Sequence, residues 1–423
     1  KYIKNTTEPL TGAGFKIKIE NKATKKAVVD SNNVAIDGTK EYKVDSNGKI
    51  NISGINIDAE GITYVVTITE TTVPEGYTGI AKPVTFEAIS ALSADGKTLA
   101  LINNVPTVDN TKKVEVTANQ ILVELENMPK VEIHKGVKDV QNQDSGYNGD
   151  EVHDWVIQSN VPLGIDQFTK YIITDAIDER LEFLGTETIT AKIVDGKELI
   201  KDTDYKVKYD ENTRTLKISF IEDTFVAGKS LPENSIIEIR FNTKFAVDEN
   251  GNIIALNQAI PNTAELTYNN GTEEETKKSE TPEVHTGVVG LFKYDEKTGN
   301  ALEGAEFKIA TTKENAENGV FVKDVSGNDS IAISNEKGVA TFTGLEFGED
   351  AINDIKYKTI DETTGAEVYK YNWEEVETKY YIVETKSPAG YRKIEEPIEV
   401  TVNKDFGEMK DIEDLVAISN ERL

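Results

Sequence analysis

One block of sequence occurs twice in this chain, and the repetition determines how the chain is divided into folding units. "KYDEKTGNALEGAEFKI" at 293–309 aligns without gaps on "KYIKNTTEPLTGAGFKI" at 1–17, and "YIVETKSPAGY" at 381–391 aligns on "TITETTVPEGY" at 67–77. A chain of 423 residues has room for about three domains of ~100–200 residues. We therefore expect one domain at 1–129 and a second copy at 285–423, which carries an insertion near 346–375.

The region between the two copies has landmarks of its own and is expected to form a different domain over 130–284. Val, Ile and Thr are abundant throughout the chain, and turn pairs such as Asn-Gly and Asp-Gly recur, a pattern that favours short strands. No long stretch shows a sustained apolar period of 3.6 residues. The sequence therefore predicts an all-β chain of three tandem β-sandwich domains.

The charge balance and the rare residue types exclude several classes of function. The chain has 75 acidic and 47 basic residues and a net charge of −28, so nucleic acid and anionic membranes are repelled. No apolar run is long enough to span a membrane, and the absence of cysteine excludes disulfides. The three histidines match no metal-binding spacing, and His134 takes the parity that faces solvent. We therefore predict neither a cofactor nor a metal.

Each predicted domain places polar residues on strand faces that are otherwise apolar. Glu384 follows Tyr380 and Ile382 at a period of two, so all three side chains share one face of a strand. The same parity holds for the other candidates except Lys1, which has no preceding residue to test. Each domain contributes one candidate lysine, one candidate carboxyl and one candidate asparagine. The three sets are Lys1, Glu70, Asn127; Lys135, Asp175, Asn262; and Lys293, Glu384, Asn420. The lysine and the asparagine of each set are 126, 127 and 127 residues apart.

Burial of these groups gives them a definite chemistry. An isolated buried charge is costly, so the group tends to change its protonation state. A lysine that loses its proton is a nucleophile, and a carboxyl that keeps its proton can activate the asparagine carbonyl by a hydrogen bond. A single polar residue on an apolar face is most simply explained by an error in assigning the strand face. Three matched triplets instead favour a common chemical role for these residues. We predict a permanent Lys–Asn amide in each domain, promoted by Glu70, Asp175 and Glu384.

These residues also carry a resemblance to a known family. The first and third domains resemble the CnaB-type (SpaA-like) Ig-fold domains of Gram-positive surface proteins, because "TETTVPEGY" and "ETKSPAGY" are similar to the E-box whose glutamate promotes the isopeptide bond. The middle domain resembles the CnaA-type domain, in which an aspartate has that role. Together they resemble the backbone (major) pilin of sortase-assembled pili. The resemblance implies an extracellular, cell-wall-anchored pilus subunit whose partners are a pilus-type sortase and neighbouring pilin subunits.

Two features of that family are missing from the sequence. There is no LPxTG sorting signal and no clear VYPK-type motif with its linking lysine, although Lys130 in "NMPK" faintly resembles one. We therefore expect the chain to be part of a longer protein, with the linking lysine elsewhere. Two alternatives to a shaft subunit remain open: an adhesin or ancillary tip or base pilin that binds a host ligand, and an enzyme with turnover, for which no clustered site is found.

Overall fold

The computed structural model describes residues 1–423 apart from 5, 58, 81, 93–98, 105–110, 118–119, 255–258, 271–273, 349–355 and 403–413. The described chain is built almost entirely of strands, so the all-β prediction is confirmed. It forms two compact units, one of residues 1–131 with 162–164 and one of residues 132–161 with 165–423. The three-domain boundaries stay a prediction, because the second unit contains both the middle region and the second copy of the repeat.

The first unit contains two sheets, one in the order β1-β9-β5 with β8 beside β9, and one in the order β3-β2-β4-β6-β7. Strand β4 shows why the sequence folds this way: "TYVVTITETT" alternates apolar and polar residues, and its buried positions fall on Tyr64, Val66 and Ile68, as a half-buried strand requires. The strands are β1 (Tyr2–Ile3), β2 (Gly14–Asn21), β3 (Asp37–Lys43), β4 (Thr63–Thr72), β5 (Tyr77–Thr78), β6 (Val84–Leu92), β7 (Leu99–Asn104), β8 (Thr111–Thr117) and β9 (Gln120–Pro129).

The middle region of the sequence folds into the first part of the second unit. Its larger sheets run β10-β12-β19-β15-β16, with β14 beside β19, and β17-β18-β13-β21-β22, while β11-β23-β20 form a small third sheet. The strands are β10 (Ile133–Val137), β11 (Asp144–Gly146), β12 (His153–Asn160), β13 (Lys170–Ala176), β14 (Leu181–Phe183), β15 (Thr190–Ile193), β16 (Glu198–Leu199), β17 (Lys206–Asp210), β18 (Thr215–Ile221), β19 (Ile236–Phe245), β20 (Ile260–Pro261), β21 (Ala264–Asn269), β22 (Glu274–Lys278) and β23 (Glu283–His285).

The second copy of the repeat forms the remainder of the second unit. Its sheets run β27-β24-β32 and β26-β25-β30-β31, and β28 and β29 form a separate hairpin. The strands are β24 (Gly287–Asp295), β25 (Glu306–Ala310), β26 (Ile331–Ile333), β27 (Val339–Leu345), β28 (Lys356–Ile360), β29 (Glu367–Tyr371), β30 (Thr378–Lys386), β31 (Ile398–Val402) and β32 (Val416–Asn420), and a short helix α1 spans Lys313–Glu317. Three 3₁₀ turns lie in the middle region, at Ile165–Gln167, Thr186–Thr188 and Ala227–Ser230.

The insertion in the second copy contacts the middle region. Its described part contains the hairpin of β28 and β29, and the backbone of Tyr369 exchanges hydrogen bonds with Gln141 (2.8 Å) and Gln143 (2.9 Å). Gly146 lies so close to this part of the chain that a Cβ there would come within 1.8 Å of the Phe347 carbonyl oxygen. The two halves of the second unit therefore share a hydrogen-bonded interface.

In both copies of the repeat, the first strand pairs in parallel with the last. Strand β1 pairs with β9, which places Ile3 opposite Asn127, and β24 pairs with β32, which places Lys293 opposite Ile418. A parallel pair needs a long crossover connection, and here the rest of the sandwich supplies it. Residues more than 120 positions apart in sequence therefore lie on adjacent strands.

Within the described part of the chain, we find no helix with the length and apolar character needed to cross a membrane.

Candidate cross-linking sites

All nine predicted site residues have buried side chains. In the first unit the side chains of Lys1 and Glu70 are 1% and 0% exposed, and Asn127 is buried beside them. The other six residues are at most 2% exposed: Lys135, Asp175, Asn262, Lys293, Glu384 and Asn420. Period-two parity therefore identified eight of these buried positions, and the alignment of the repeat identified Lys1.

In the first unit the lysine, the carboxyl and the asparagine form a closed triangle. Lys1 Nζ donates to Asn127 Oδ1 at 2.6 Å, Asn127 Nδ2 donates to Glu70 Oε1 at 2.8 Å, and Lys1 Nζ lies 3.4 Å from Glu70 Oε1. Because a carbonyl bond is about 1.23 Å long, Nζ is no more than about 3.8 Å from Cγ. The nucleophile and the carbonyl carbon are thus close to a near-attack separation of about 3–3.5 Å.

The second copy of the repeat reproduces this triangle. Lys293 Nζ donates to Asn420 Oδ1 and lies 3.1 Å from Glu384 Oε1. Asn420 Nδ2 donates to Glu384 Oε1 at 3.0 Å. The same three contacts, made by aligned residues in two separate units, indicate that the arrangement belongs to the repeat.

The fold explains why these three residue types meet. The lysine of each copy lies at or beside the first strand and the asparagine on the last strand, and these two strands are parallel neighbours. The glutamate comes from a strand of the other sheet, β4 or β30, so its carboxyl reaches the pair from across the core. The strand order therefore assembles the site once both sheets have packed.

A local geometry common to the two copies orients each glutamate. The strand that carries it runs into a Pro-x-Gly turn, where the N–H of Tyr77 donates to the Pro74 carbonyl at 3.2 Å. Gly76 has φ +80° and its counterpart Gly390 has φ +83°, the left-handed region that favours glycine. After the turn, the chain runs back beside the strand and brings a backbone N–H group close to the glutamate carboxyl.

A backbone N–H then binds one carboxyl oxygen in each copy. Ile80 N–H donates to Glu70 Oε2 at 2.8 Å, and Ile394 N–H donates to Glu384 Oε2 at 2.7 Å. This N–H fixes the orientation of the carboxyl, whose Oε1 faces lysine and asparagine. Sequence reasoning missed these two donors, although their spacing of ten residues after the glutamate is the same in both copies.

The middle site has the same residue types but a different arrangement. Lys135 Nζ contacts Asp175 Oδ2 across the two large sheets. Asp175 pairs with Ala264 in the ladder, and Asn262 lies two residues before Ala264, just outside strand β21. Among the described residues, Asp175 Oδ1 and both amide atoms of Asn262 have no hydrogen-bond partner. Buried polar atoms without partners are costly, so this site is the least satisfied of the three before any reaction.

Each lysine amine also lies over an aromatic ring that sequence reasoning did not single out. Lys1 Nζ lies 5.4 Å from the centre of the Phe15 ring and Lys293 Nζ lies 5.5 Å from that of Phe307. Lys135 Nζ lies 5.0 Å from the Trp155 ring, and Phe241 is also close. Phe15 and Phe307 are aligned in the repeat, in "GFKI" and "EFKI", so the alignment of the two copies could have identified them as a shared feature.

Burial shifts the proton equilibria towards the neutral forms. Burial lowers the pKa of Lys1 to about 8, although Glu70 partly opposes the shift. The pKa of Lys135 is likewise lowered to about 8 by burial, against the attraction of Asp175, and burial lowers the pKa of Lys293. Burial raises the pKa of Asp175. In the middle site the pKa of Lys135 is lowered and that of Asp175 is raised, so burial reduces the free energy needed to move a proton from Lys135 to Asp175.

Two segments of the chain match one protein family. Residues 1–105 and 287–377 match the family described as SpaA, prealbumin-like fold domain. Each segment lies within one copy of the repeat, so the recognition of SpaA-type domains there is confirmed. No curated protein sequence matches the chain significantly.

Several solved structures share the fold. Full-length major pilin SpaD from Corynebacterium diphtheriae is 22% identical over 98% of this chain and 94% of its own, with a TM-score of 0.51. A 35 kDa C-terminal fragment of the major pilin GBS80 of Streptococcus agalactiae is 23% identical over 69% of this chain and 99% of its own, with a TM-score of 0.50. Full-length major pilin RrgB from Streptococcus pneumoniae is 12% identical over 98% of this chain and 93% of its own, with a TM-score of 0.50.

Proposed function

Because two segments of this chain match the SpaA family of prealbumin-like domains and its fold is that of Gram-positive major pilins, we propose that it is a structural shaft subunit of a cell-surface pilus. Three self-generated Lys–Asn isopeptide bonds stabilise it: Lys1–Asn127, Lys135–Asn262 and Lys293–Asn420. The observation that supports this most directly is the buried lysine, carboxyl and asparagine brought together in each copy of the repeat.

Each bond forms by a balanced acyl transfer. The ammonium of lysine passes a proton to the neighbouring carboxylate, and the neutral Nζ attacks Cγ of asparagine. In the two copies of the repeat the carboxyl contacts Nδ2, so it gives the departing nitrogen the proton that it needs and takes back the proton that Nζ loses when the amide forms. The Nζ–Cγ bond forms, the Cγ–Nδ2 bond breaks, and ammonia leaves. The carboxyl acts once for its own domain, so the protein is not an enzyme with turnover.

Folding makes this reaction possible by holding the lysine amine and the asparagine amide in contact. Amides and amines do not react at a useful rate in water, but fixed reactants can reach effective molarities of about 10⁵–10⁸ M. The parallel first and last strands hold lysine and asparagine in contact, and the core excludes water from them. The cross-link therefore forms only after the two sheets of the domain have packed, so a cross-linked domain is one that has folded.

The position of the bonds suits a shaft under tension. A covalent link between the first and last strands lets a pulling force pass through it instead of breaking the sheet hydrogen bonds one by one. The same link prevents the terminal strands from separating, and local opening of this kind is what proteases require. A pilus-type sortase and neighbouring subunits are the partners of this role, and a cell-wall-anchored pilus is its location.

The shaft role is tested in the bacterium that carries the gene. Cell-wall extracts probed with an antibody to this chain should show a ladder of covalent polymers that survives boiling in detergent. Deletion of the pilus-type sortase should abolish the polymers and leave only the monomeric subunit. A single species in the parent strain, with the protein at the ends of pili made of another subunit, would instead assign it as an ancillary pilin or adhesin.

The cross-links are tested separately by intact mass. The purified chain should weigh less than its sequence by the mass of three ammonia molecules, and peptides joining Lys293 to Asn420 should be recovered after digestion. A mass equal to the unmodified sequence would refute the cross-links without bearing on the ladder, and a missing ladder would not bear on the mass.

A further inference from the structure

A cluster of polar side chains, two of them buried, lies outside the candidate cross-linking sites, where the two halves of the second unit meet. Strand β23 pairs in parallel with β11, so Glu283 lies opposite Asp144, and His285 lies opposite Gly146. Alternate residues of a strand share a face, and paired positions share it across the ladder. The register therefore places one imidazole and two carboxylates on the same side of this small sheet.

The three side chains point their ligating atoms at one another. His285 Nε2 lies 3.8 Å from Asp144 Oδ1 and 3.7 Å from Glu283 Oε2, and all three atoms lie within 4.8 Å of one another. Four ligands placed tetrahedrally at about 2.0–2.2 Å from a zinc ion are about 3.3–3.6 Å apart. The two distances to Nε2 reach that spacing with shifts of a few tenths of an ångström, and the two carboxylate oxygens, within 4.8 Å of each other, reach it with a shift of about 1 Å.

The imidazole gives an independent indication of a missing ligand. His285 is 7% exposed, and its Nε2, which faces the two carboxylates, has no hydrogen-bond partner among the described residues. A buried nitrogen without a partner is costly. One face of the ring is covered by Trp373 at a centroid distance of 3.7 Å, so the ring cannot turn outward without losing that contact.

Two hydrogen-bond donors orient the carboxylate of Asp144, as neighbouring groups commonly orient metal ligands. Its Oδ2 accepts from the N–H of Tyr371 at 2.9 Å, and its Oδ1 accepts from Trp373 Nε1 at 3.1 Å. Donors of this kind fix the direction of a ligating oxygen, and each oxygen keeps a lone pair for a cation. The Glu283 side chain is 35% exposed, which leaves a route from solvent.

We propose that Asp144, Glu283 and His285 form a binding site for a divalent cation of the zinc type, at the junction of the two halves of the second unit. One imidazole nitrogen and two carboxylate oxygens are donors that Zn²⁺ accepts, with water in the fourth position. The cation neutralises two adjacent carboxylates that are otherwise close together and partly buried. Through the hydrogen bonds of Asp144 to Tyr371 and Trp373, it also links β11 and β23 to the insertion of the second copy.

The test is a calorimetric titration of the whole chain, stripped with a chelator, with Zn²⁺ and, for comparison, Ca²⁺. We expect one equivalent of Zn²⁺ to bind and Ca²⁺ to bind far more weakly, because an imidazole is a poor ligand for calcium. Loss of a supporting residue alone weakens metal sites by about 10–100-fold, so loss of a ligand should weaken binding by at least that factor.

Two substitutions spare the packing. Glu283→Gln keeps the size of a side chain whose described contact is with His285, and His285→Phe keeps a ring against Trp373. Glu249→Gln, in an exposed turn, is the matched charge control and should bind Zn²⁺ as the parent does. The circular dichroism spectrum of each variant reports whether it has folded.

Two results would overturn the proposal. One is the absence of a saturable Zn²⁺ site in the parent. The other is binding that Glu283→Gln and His285→Phe leave unchanged, which would identify it as adventitious binding to the acidic surface.

Discussion

Replacement of Lys293 by methionine removes one cross-link while leaving the core nearly filled. Methionine is apolar and of similar length, so no unpaired ammonium is left in the core. Glu384 keeps its bonds from Asn420 Nδ2 (3.0 Å) and from the N–H of Ile394 (2.7 Å). The main difference between the two proteins is therefore the covalent bond.

The magnitude follows from the loop that the bond closes. Lys293 and Asn420 are 127 residues apart, and a cross-link closing a loop of that length removes chain entropy worth about 5 kcal/mol at 25 °C from the unfolded state. For a folding unit of this size, 1 kcal/mol corresponds to about 2–4 °C, so the unfolding midpoint should fall by about 10–20 °C.

The assay combines intact mass with differential scanning calorimetry. Lys293→Met should have lost two ammonia molecules instead of three, and the transition of the second unit should move down by the stated amount. Lys337→Met, in an exposed turn, is the control and should match the parent in both measurements. The reasoning fails if Lys293→Met loses ammonia like the parent, or if its midpoint stays within about 2 °C of the parent, less than 1 kcal/mol at this size.

Three further predictions concern the promoters, the pH dependence and proteolysis. Glu70→Ala, Asp175→Ala and Glu384→Ala should each retain one ammonia that the parent loses, and normal cross-linking in Glu384→Ala would contradict its role. When the unfolded chain is diluted from denaturant, formation of the Lys1–Asn127 bond should slow as the pH rises above about 8, because the pair then loses the one proton that it shares. A rate that rises through this pH would show that the free amine alone is limiting. Trypsin should leave the parent largely intact but cut a variant with all three lysines changed to methionine, and equal survival on gels would rule out protection by the bonds.

The buried lysine, carboxyl and asparagine positions of the candidate cross-linking sites could be located in the sequence because two simple regularities point to them. A strand has a period of two, so the sequence alone assigns Glu384 to the face of Tyr380 and Ile382. The internal repeat supplies independent evidence, since Glu70 occupies the aligned position. The backbone donors at Ile80 and Ile394 could not be predicted in this way, because a main-chain group has no residue-type signature.

The proposed cation site depends on a contact between distant parts of the sequence, whereas the sequence alone predicted no metal. Asp144 and His285 meet only because β11 and β23 pair in parallel, and local patterns do not specify such pairing. His134 illustrates the same limit: its parity predicted a solvent-facing side chain, yet the side chain is 29% exposed and its Nδ1 bonds Glu280 Oε1 at 2.8 Å. Glu280 lies 146 positions away along the chain, so burial by a neighbouring segment could not be read from strand period.

The parallel pairing of first and last strands determines how far a subunit can stretch. With the proposed Lys293–Asn420 bond in place, the 127 positions between these residues would lie off the path that tension follows. At 3.3–3.6 Å per extended residue, about 430 Å of contour length in that domain would become unavailable for extension. In the proposed shaft, a filament of such subunits would not dissipate a sudden pull by unfolding its domains. Its extension would be confined to the segments between the cross-links, so its length would stay nearly constant under load.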